Sequence, residues 1–196
     1  MANAFLERWL GEVVTAPGAT GIGGLDEARR MLLDDALRAA PIVESFPGPV
    51  IDVGSGGGTP GIPLAVALPG RGFTLLEAER RKCDFLRRIS AELPNVGVVW
   101  GRAEEQQTDV FGVALAKALA KPPVAAELCL PLVEPRGIAI LWVGENADVD
   151  RIQQAAEKLG ANLDSHSDGL VVLRKLAPTP PGFPRRAGMA RKRPLA

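Results

Sequence analysis

Apolar residues recur at helical spacing through the first forty positions: Phe5, Leu6, Trp9, Leu10 and Val13 within 3–16, then Met31, Leu32, Ala36 and Leu37 within 24–40. A glycine- and alanine-rich stretch, 15–24, separates the two. Pro41, Pro47, Gly48 and Pro49 then predict a linker. From Val50 the period changes. Short apolar runs alternate with helical patterns, which predicts a parallel sheet with crossover helices. Strands are expected near 49–53, 72–77, 96–100, 110–116, 136–143, 161–166 and 169–175, and helices near 60–69, 79–92, 121–132 and 147–159. Phe85, Leu86, Ile89 and Leu93 give the second of those helices one apolar face, with Arg87 and Arg88 opposite. Ser167, Asp168 and Gly169 predict a tight turn between the last two strands. Residues 177–196 carry no core pattern.

Chemistry concentrates where the first strand ends. Val50, Ile51 and Val53 run into glycines at 54, 56, 57 and 58, and Thr59 is expected to cap a helix whose first residue is Pro60. A strand, a glycine turn and a helix start form a cradle in which backbone N–H groups face a bound group. Residues 56–61 satisfy G-x-G-x-x-G, the dinucleotide fingerprint, a pattern that plain chain reversals also meet. Asp52 adds to it. An acid two residues before the first glycine, in Asp-x-Gly-x-Gly, is typical of S-adenosylmethionine sites, where it orients loop and ligand amine. Residues 72–77 read as a second strand ending in Glu77, 25 residues after Asp52, the distance of one strand–helix–strand unit. An acid there is expected to hold two ribose hydroxyls. The residues favour an adenosyl ligand and leave S-adenosylmethionine and NAD both open.

Composition narrows the class. At 196 residues and 46% apolar, the chain supports one well-packed domain without disulfides. Cys83 and Cys129, in apolar helical patterns, are expected to be buried, reduced thiols. No run approaches a membrane span, and Glu7, Arg8 and Glu12 interrupt the first apolar stretch, so a soluble cytoplasmic protein is expected. No metal site is expected. Net charge is zero but uneven: Arg174, Lys175, Arg185, Arg186, Arg191, Lys192 and Arg193 follow Leu170 with no acid among them. An acidic body with a basic tail suggests a polyanionic partner; a solvated, disordered end is the alternative.

Other features read more simply. Lys121, Pro122 and Pro123 look like a helix start, His166 a surface or turn residue, Cys129 a core thiol rather than a nucleophile, Glu104 and Glu105 a helix-start pair. Arg80, Arg81, Lys82, Arg87 and Arg88 read as a solvated helix face.

Residues 51–65, from Ile51 to Ala65, resemble the cofactor loop of the RsmG (GidB) family, guanine-N7 methyltransferases of small-subunit ribosomal RNA. Further segments agree in order: 73–77, Arg81 and Lys82 with Phe85 and Leu86, 101–104, 127–133, 170–175, 183–188 and 192–195. The resemblance spans roughly 50–196. It implies an α/β fold, the seven-stranded, Rossmann-like sheet of class I S-adenosylmethionine methyltransferases; the closing hairpin fits this and is unlike a nicotinamide fold. Expected segments are a helical extension (1–48), a methyltransferase domain (49–176) and a basic, proline-rich tail (177–196). The implied cofactor is S-adenosylmethionine, and the implied partner 16S ribosomal RNA or the small subunit, met by a monomer. Carried over by position, Gly54 and Thr59 line the methionine end, Glu77 takes the ribose, and Ala103 and Glu104 flank the adenine. Asp52, Ser55, Gly56, Gly58, Ala78 and Lys117 complete the expected cofactor set. Lys117 stands where the family has an arginine, Val143 where it has a lysine, and Met31 where it has a histidine. Lys117 or Arg102 is the candidate to hold guanine O6 or a phosphate, and the seven basic residues from Arg174 on are the candidate RNA contacts. A methyltransferase acting on another RNA or a small molecule, or a catalytically quiet RNA-binding homologue, is the alternative.

Overall fold

The computed structural model describes residues 2–196. Helix α1 (Ala2–Thr15) buries Phe5, Leu6, Trp9, Leu10 and Val13. Helix α2 (Leu25–Ala28) runs through a π-helical turn (Arg29–Asp34) into α3 (Asp35–Leu37). The segment expected to be a linker is in part a helix, α4 (Ala40–Ser45). Pro41 suits a helix start as well as a linker: in a first turn its missing N–H costs nothing, and Val43 is buried beneath it.

Strand β1 (Val50–Val53), α5 (Gly61–Ala67), β2 (Phe73–Glu77), α6 (Arg80–Ile89), β3 (Val96–Trp100), β4 (Phe111–Lys117), α7 (Pro122–Cys129), β5 (Val133–Trp142) and α8 (Val149–Glu157) follow in the expected alternation. Strands β6 (Ala161–Ser167) and β7 (Leu170–Lys175) close the sheet, in the order β3-β2-β1-β4-β5-β7-β6. β7 runs antiparallel to both its neighbours, and the pairs among β1 to β5 are parallel. Ser167 pairs with Leu170, so Asp168 (φ 50°) and Gly169 (φ 75°) form the tight turn read from the sequence. β5 begins three residues earlier than expected. Its pairing with β4 jumps between Phe111 and Val113, and the apolar pattern was readable only beyond that irregularity. Gly112 fits there because a Cβ would lie 1.9 Å from the Pro47 carbonyl oxygen.

Strand alternation assigns each core residue to a face. Val50, Leu75, Val113, Leu115 and Ile140 face α1 to α6. Ile51, Val53, Ala114, Ala116 and Leu141 face α7 and α8. Residues 177–196, expected to lack a core role, fold back on this second face. Phe183 and Leu195 pack against it, and Ala190 of α9 (Met189–Lys192) is buried. The strand order reverses between β1 and β4. In open α/β sheets the crevice at such a reversal, beyond the carboxyl ends of the strands, receives ligands.

Candidate functional site

The loop after β1 is built by its neighbours. The Gly54 and Ser55 N–H groups donate to the Leu76 carbonyl (2.8 and 3.1 Å), turning the chain across the end of β2. Trp9 of α1 donates its indole N–H to the Gly57 carbonyl (2.9 Å). A Cβ on Gly57 would lie 2.4 Å from the Val13 side chain and 2.9 Å from the Ala19 carbonyl oxygen, so the N-terminal helices clamp the loop. Thr59 does not cap the next helix. α5 starts at Gly61 behind Pro60, and the Thr59 hydroxyl donates instead to the Leu32 carbonyl (2.7 Å). A second tie thereby joins the loop to the N-terminal segment.

Asp52 departs from its expected role. It shares the strand face of Val50 and Leu75 and is buried beneath the loop, outside the cleft. Its Oδ2 accepts from the Gly61 N–H (3.1 Å), and its Oδ1 has no partner among the described residues. Burial pushes the carboxyl up to about 7 from 3.8, against the pull of the Gly61 hydrogen bond. Charging therefore costs the folded chain: the contribution of neutral Asp52 to stability is full below about pH 4 and is lost as pH rises through about 7. The rise corresponds to about 4 kcal/mol at one pKa unit per 1.36 kcal/mol. In Asp52→Asn, urea unfolding from pH 4 to 8 is expected to lack this decline, because an amide still accepts from Gly61 without titrating. Parallel parent and variant curves would refute it.

Above the loop opens a cleft of about 660 Å³. Gly54, Ser55, Gly56 and Thr59 line one side of it. Gly58 does not: a Cβ there would press 2.4 Å from Ile62, so this glycine serves packing. Glu77 and Ala78 line the cleft at the end of β2. Glu77 is buried, with Oε2 accepting from the Gly56 N–H (2.9 Å) and Oε1 from the Glu79 N–H (2.8 Å). Both oxygens keep a free lone pair for hydroxyl donors. Arg102, Ala103 and Glu104 line the next stretch, where a 3₁₀ turn (Ala103–Glu105) bears out the helix-start reading of the acid pair.

Lys117, at the end of β4, also lines the cleft. Its ammonium is paired with Asp35 and donates to the Met31 carbonyl (2.6 Å). Trp142 donates its indole N–H to the Asp35 carbonyl (3.2 Å), so the N-terminal helices, β4 and β5 meet here. Ala118 follows at φ 54°, a conformation that L-residues seldom adopt and that clusters at functional sites. A second hollow of about 600 Å³ shares Lys117 and Ala118 with the first and includes Val143. Met31 lines the first.

The seven candidate RNA-contacting residues divide. Lys175 is completely buried, donating to the Leu130 carbonyl and the Thr179 hydroxyl (2.8 Å each), and burial pushes its pKa down. Arg185 makes two 2.6 Å hydrogen bonds to buried Glu127. Arg174 pairs with Asp164 and lies 4.6 Å over the Phe46 ring. Lys175 and Arg185 are thus structural, and Arg174 on β7 is engaged with Asp164 of the edge strand β6. A charge count could not reveal partners that are distant in sequence. Arg186, Arg191, Lys192 and Arg193 are exposed. The sequence reading missed that Gly188 and Arg191 line the cleft itself; no local signal brings residue 191 beside residue 119. His166 is exposed, and burial pushes the Cys129 thiol up, which suits a core residue. Among the described residues no helix is long and apolar enough to cross a membrane.

Comparison with known proteins matches residues 6–167 to the family described as rRNA small subunit methyltransferase G. Ribosomal RNA small subunit methyltransferase G of Synechococcus sp. (strain JA-2-3B'a(2-13)) is 37% identical over 189 residues, covering 82% of this chain and 72% of the relative. The protein of the same name from Rubrobacter xylanophilus is 37% identical over 198 residues, covering 88% and 76%. Among solved structures, precorrin-6y C5,15-methyltransferase from Geobacter metallireducens aligns with a TM-score of 0.56 at 14% identity, over 83% of this chain and 92% of that one. That likeness shows the fold: the Rossmann-like, seven-stranded sheet of class I methyltransferases, as expected from the sequence.

Proposed function

Since the chain belongs to the rRNA small subunit methyltransferase G family, we propose that it is an S-adenosylmethionine-dependent methyltransferase that modifies guanine N7 in 16S ribosomal RNA. The observation that carries this reading is Glu77. Its buried carboxylate is fixed by two backbone N–H groups at the mouth of a glycine loop and keeps acceptor capacity toward the cleft. That donor and acceptor set fits an adenosyl group. Glu77 would accept from the ribose hydroxyls, Ala78, Ala103 and Glu104 would flank the adenine, and Gly54, Ser55, Gly56 and Thr59 would border the methionine end. Bound there, S-adenosylmethionine supplies an electrophilic methyl group.

The chain's own residues then have mainly positional work. Guanine N7 carries an in-plane lone pair and no proton at neutral pH, so no general base is required. Holding the base in line accounts for much of such a rate enhancement. The hollow that shares Lys117 and Ala118 with the cofactor cleft favours entry of the base from that side. Lys117, held by Asp35 and the Met31 carbonyl, would meet guanine O6 or a phosphate, and exposed Arg102 stands on the same cleft.

The test is transfer of a labelled methyl group to small ribosomal subunits, naked 16S transcript and free nucleosides, followed by chain scission at N7-methylguanine. Label on one guanine of RNA or subunit is expected. Transfer to nucleosides alone would indicate a small-molecule substrate, and no transfer a catalytically quiet homologue. Lys117→Ala is expected to lower turnover about 100-fold, the order of loss seen when a reacting group is misplaced by about 1 Å. Unchanged turnover and KM would remove Lys117 from the mechanism.

A further inference from the structure

The cofactor cleft and the basic tail share one wall. Gly188 and Arg191 line the cleft beside Glu104 and Leu119. The Gly188 N–H donates to Glu104 Oε1 (2.9 Å), and the Arg191 guanidinium donates to the Leu119 carbonyl (3.0 Å). Leu119 in turn lies over the glycine loop, where a Cβ on Gly54 would meet its Cδ1 at 2.5 Å. The wall thus touches the expected adenine side and the expected methionine side together.

Charge separates the inner and outer parts of this segment. Inside, Lys175 faces Asp109 and Arg185 is bound to Glu127. On the cleft, Lys117 is paired with Asp35 and Lys82 with Glu79, whereas Arg102 and Arg191 have no carboxylate partner among the described residues. Arg186, Lys192 and Arg193 are exposed on the same tail segment as Arg191. A guanidinium with free planar donors suits phosphate oxygens. Between β7 and α9 the chain has no regular element; it is tied to the body at Thr179 and Arg185, and at the cleft by the Gly188 and Arg191 hydrogen bonds, so fixing the cleft wall fully carries an entropic cost. Any ligand that grips the ordered wall lowers the cost for a second ligand that needs it.

We infer that RNA phosphates gripped by Arg186, Arg191, Lys192 and Arg193 fix the wall of the cofactor cleft, so that RNA and cofactor strengthen each other's binding. The inference rests on the proposed function and adds a coupling between its two ligands. Arg191, which stands on the cleft and on the outer surface at once, carries that coupling as a positioning residue.

Equilibrium dialysis of labelled S-adenosylhomocysteine, with and without saturating small ribosomal subunits, tests it. The dissociation constant is expected to fall about ten-fold when subunits are added, within the usual range of such couplings. The affinity for subunits should rise by the same factor when S-adenosylhomocysteine is added, since coupling is reciprocal. In Arg191→Gln the factor is expected to drop below about two at an unchanged unfolding midpoint. Equal affinities with and without subunits in the parent chain, or a full factor in Arg191→Gln, would overturn the inference and leave the proposed function standing. A parent chain that bound no S-adenosylhomocysteine under either condition would overturn both.

Discussion

Replacing Glu77 by alanine is expected to weaken S-adenosylhomocysteine binding about 100-fold or more, as measured by calorimetry. Each hydrogen bond from a ribose hydroxyl to a carboxylate contributes roughly 1.5–3 kcal/mol, and 1.4 kcal/mol is a factor of ten. Two such bonds are lost together. The Gly56 and Glu79 N–H groups also lose their acceptor, so the loop loosens as the ligand contact disappears. Glu77→Gln separates the two effects. Its amide oxygen can keep one backbone donor, but the charge is gone, and an intermediate loss of about ten-fold is expected. Wild-type affinity in Glu77→Ala would remove this residue from the site.

Arg185→Ala is expected to lower stability by about 3–5 kcal/mol, because it leaves the buried Glu127 carboxylate without its partner. For a chain of this size that corresponds to a fall of about 10 °C in Tm, read by scanning calorimetry. The pair is not itself the source of great stability. Replacing both members with apolar residues, as in Arg185→Met with Glu127→Leu, is expected to recover most of the loss. Equal Tm values for the parent and Arg185→Ala would show that the tail is not anchored through this contact. The consequence reaches the cleft, because Arg185 also donates to the Arg193 carbonyl and so holds the segment that carries Arg191.

The sheet was legible because its signals are local. Each buried strand is a short apolar run, each crossover helix has one apolar face, and the Asp168–Gly169 turn states its own geometry. Glu77 was legible for the same reason, since a strand end fixes the distance from the glycine loop. Asp52 was not. Its spacing to Gly54 matched a ligand-binding pattern, but strand alternation sends its side chain to the α5 side, where it accepts from the Gly61 N–H. Pro41 and the proline-rich tail show a second limit: proline marks both helix starts and loops, and only the packing of Val43 or Ala190 separates the cases. Lys175 and Arg185 show a third. A basic residue looks free in sequence until Asp109 or Glu127, far along the chain, comes beside it. The likeness of whole segments to a family picked out residues that line one cleft, Gly54, Glu77, Ala103 and Lys117 among them, together with Asp52 and Gly58, which do not line it. It could not place Gly188 and Arg191 on the cleft, because tertiary return of the tail put them there.

The most direct test of the account is a crystal structure of the chain soaked with S-adenosylhomocysteine. Density is expected between the Gly54–Gly57 backbone and the Ala103–Glu104 turn, with both ribose hydroxyls on the Glu77 carboxylate. Density for the ligand elsewhere, or a cleft that accepts a nicotinamide nucleotide in its place, would contradict it.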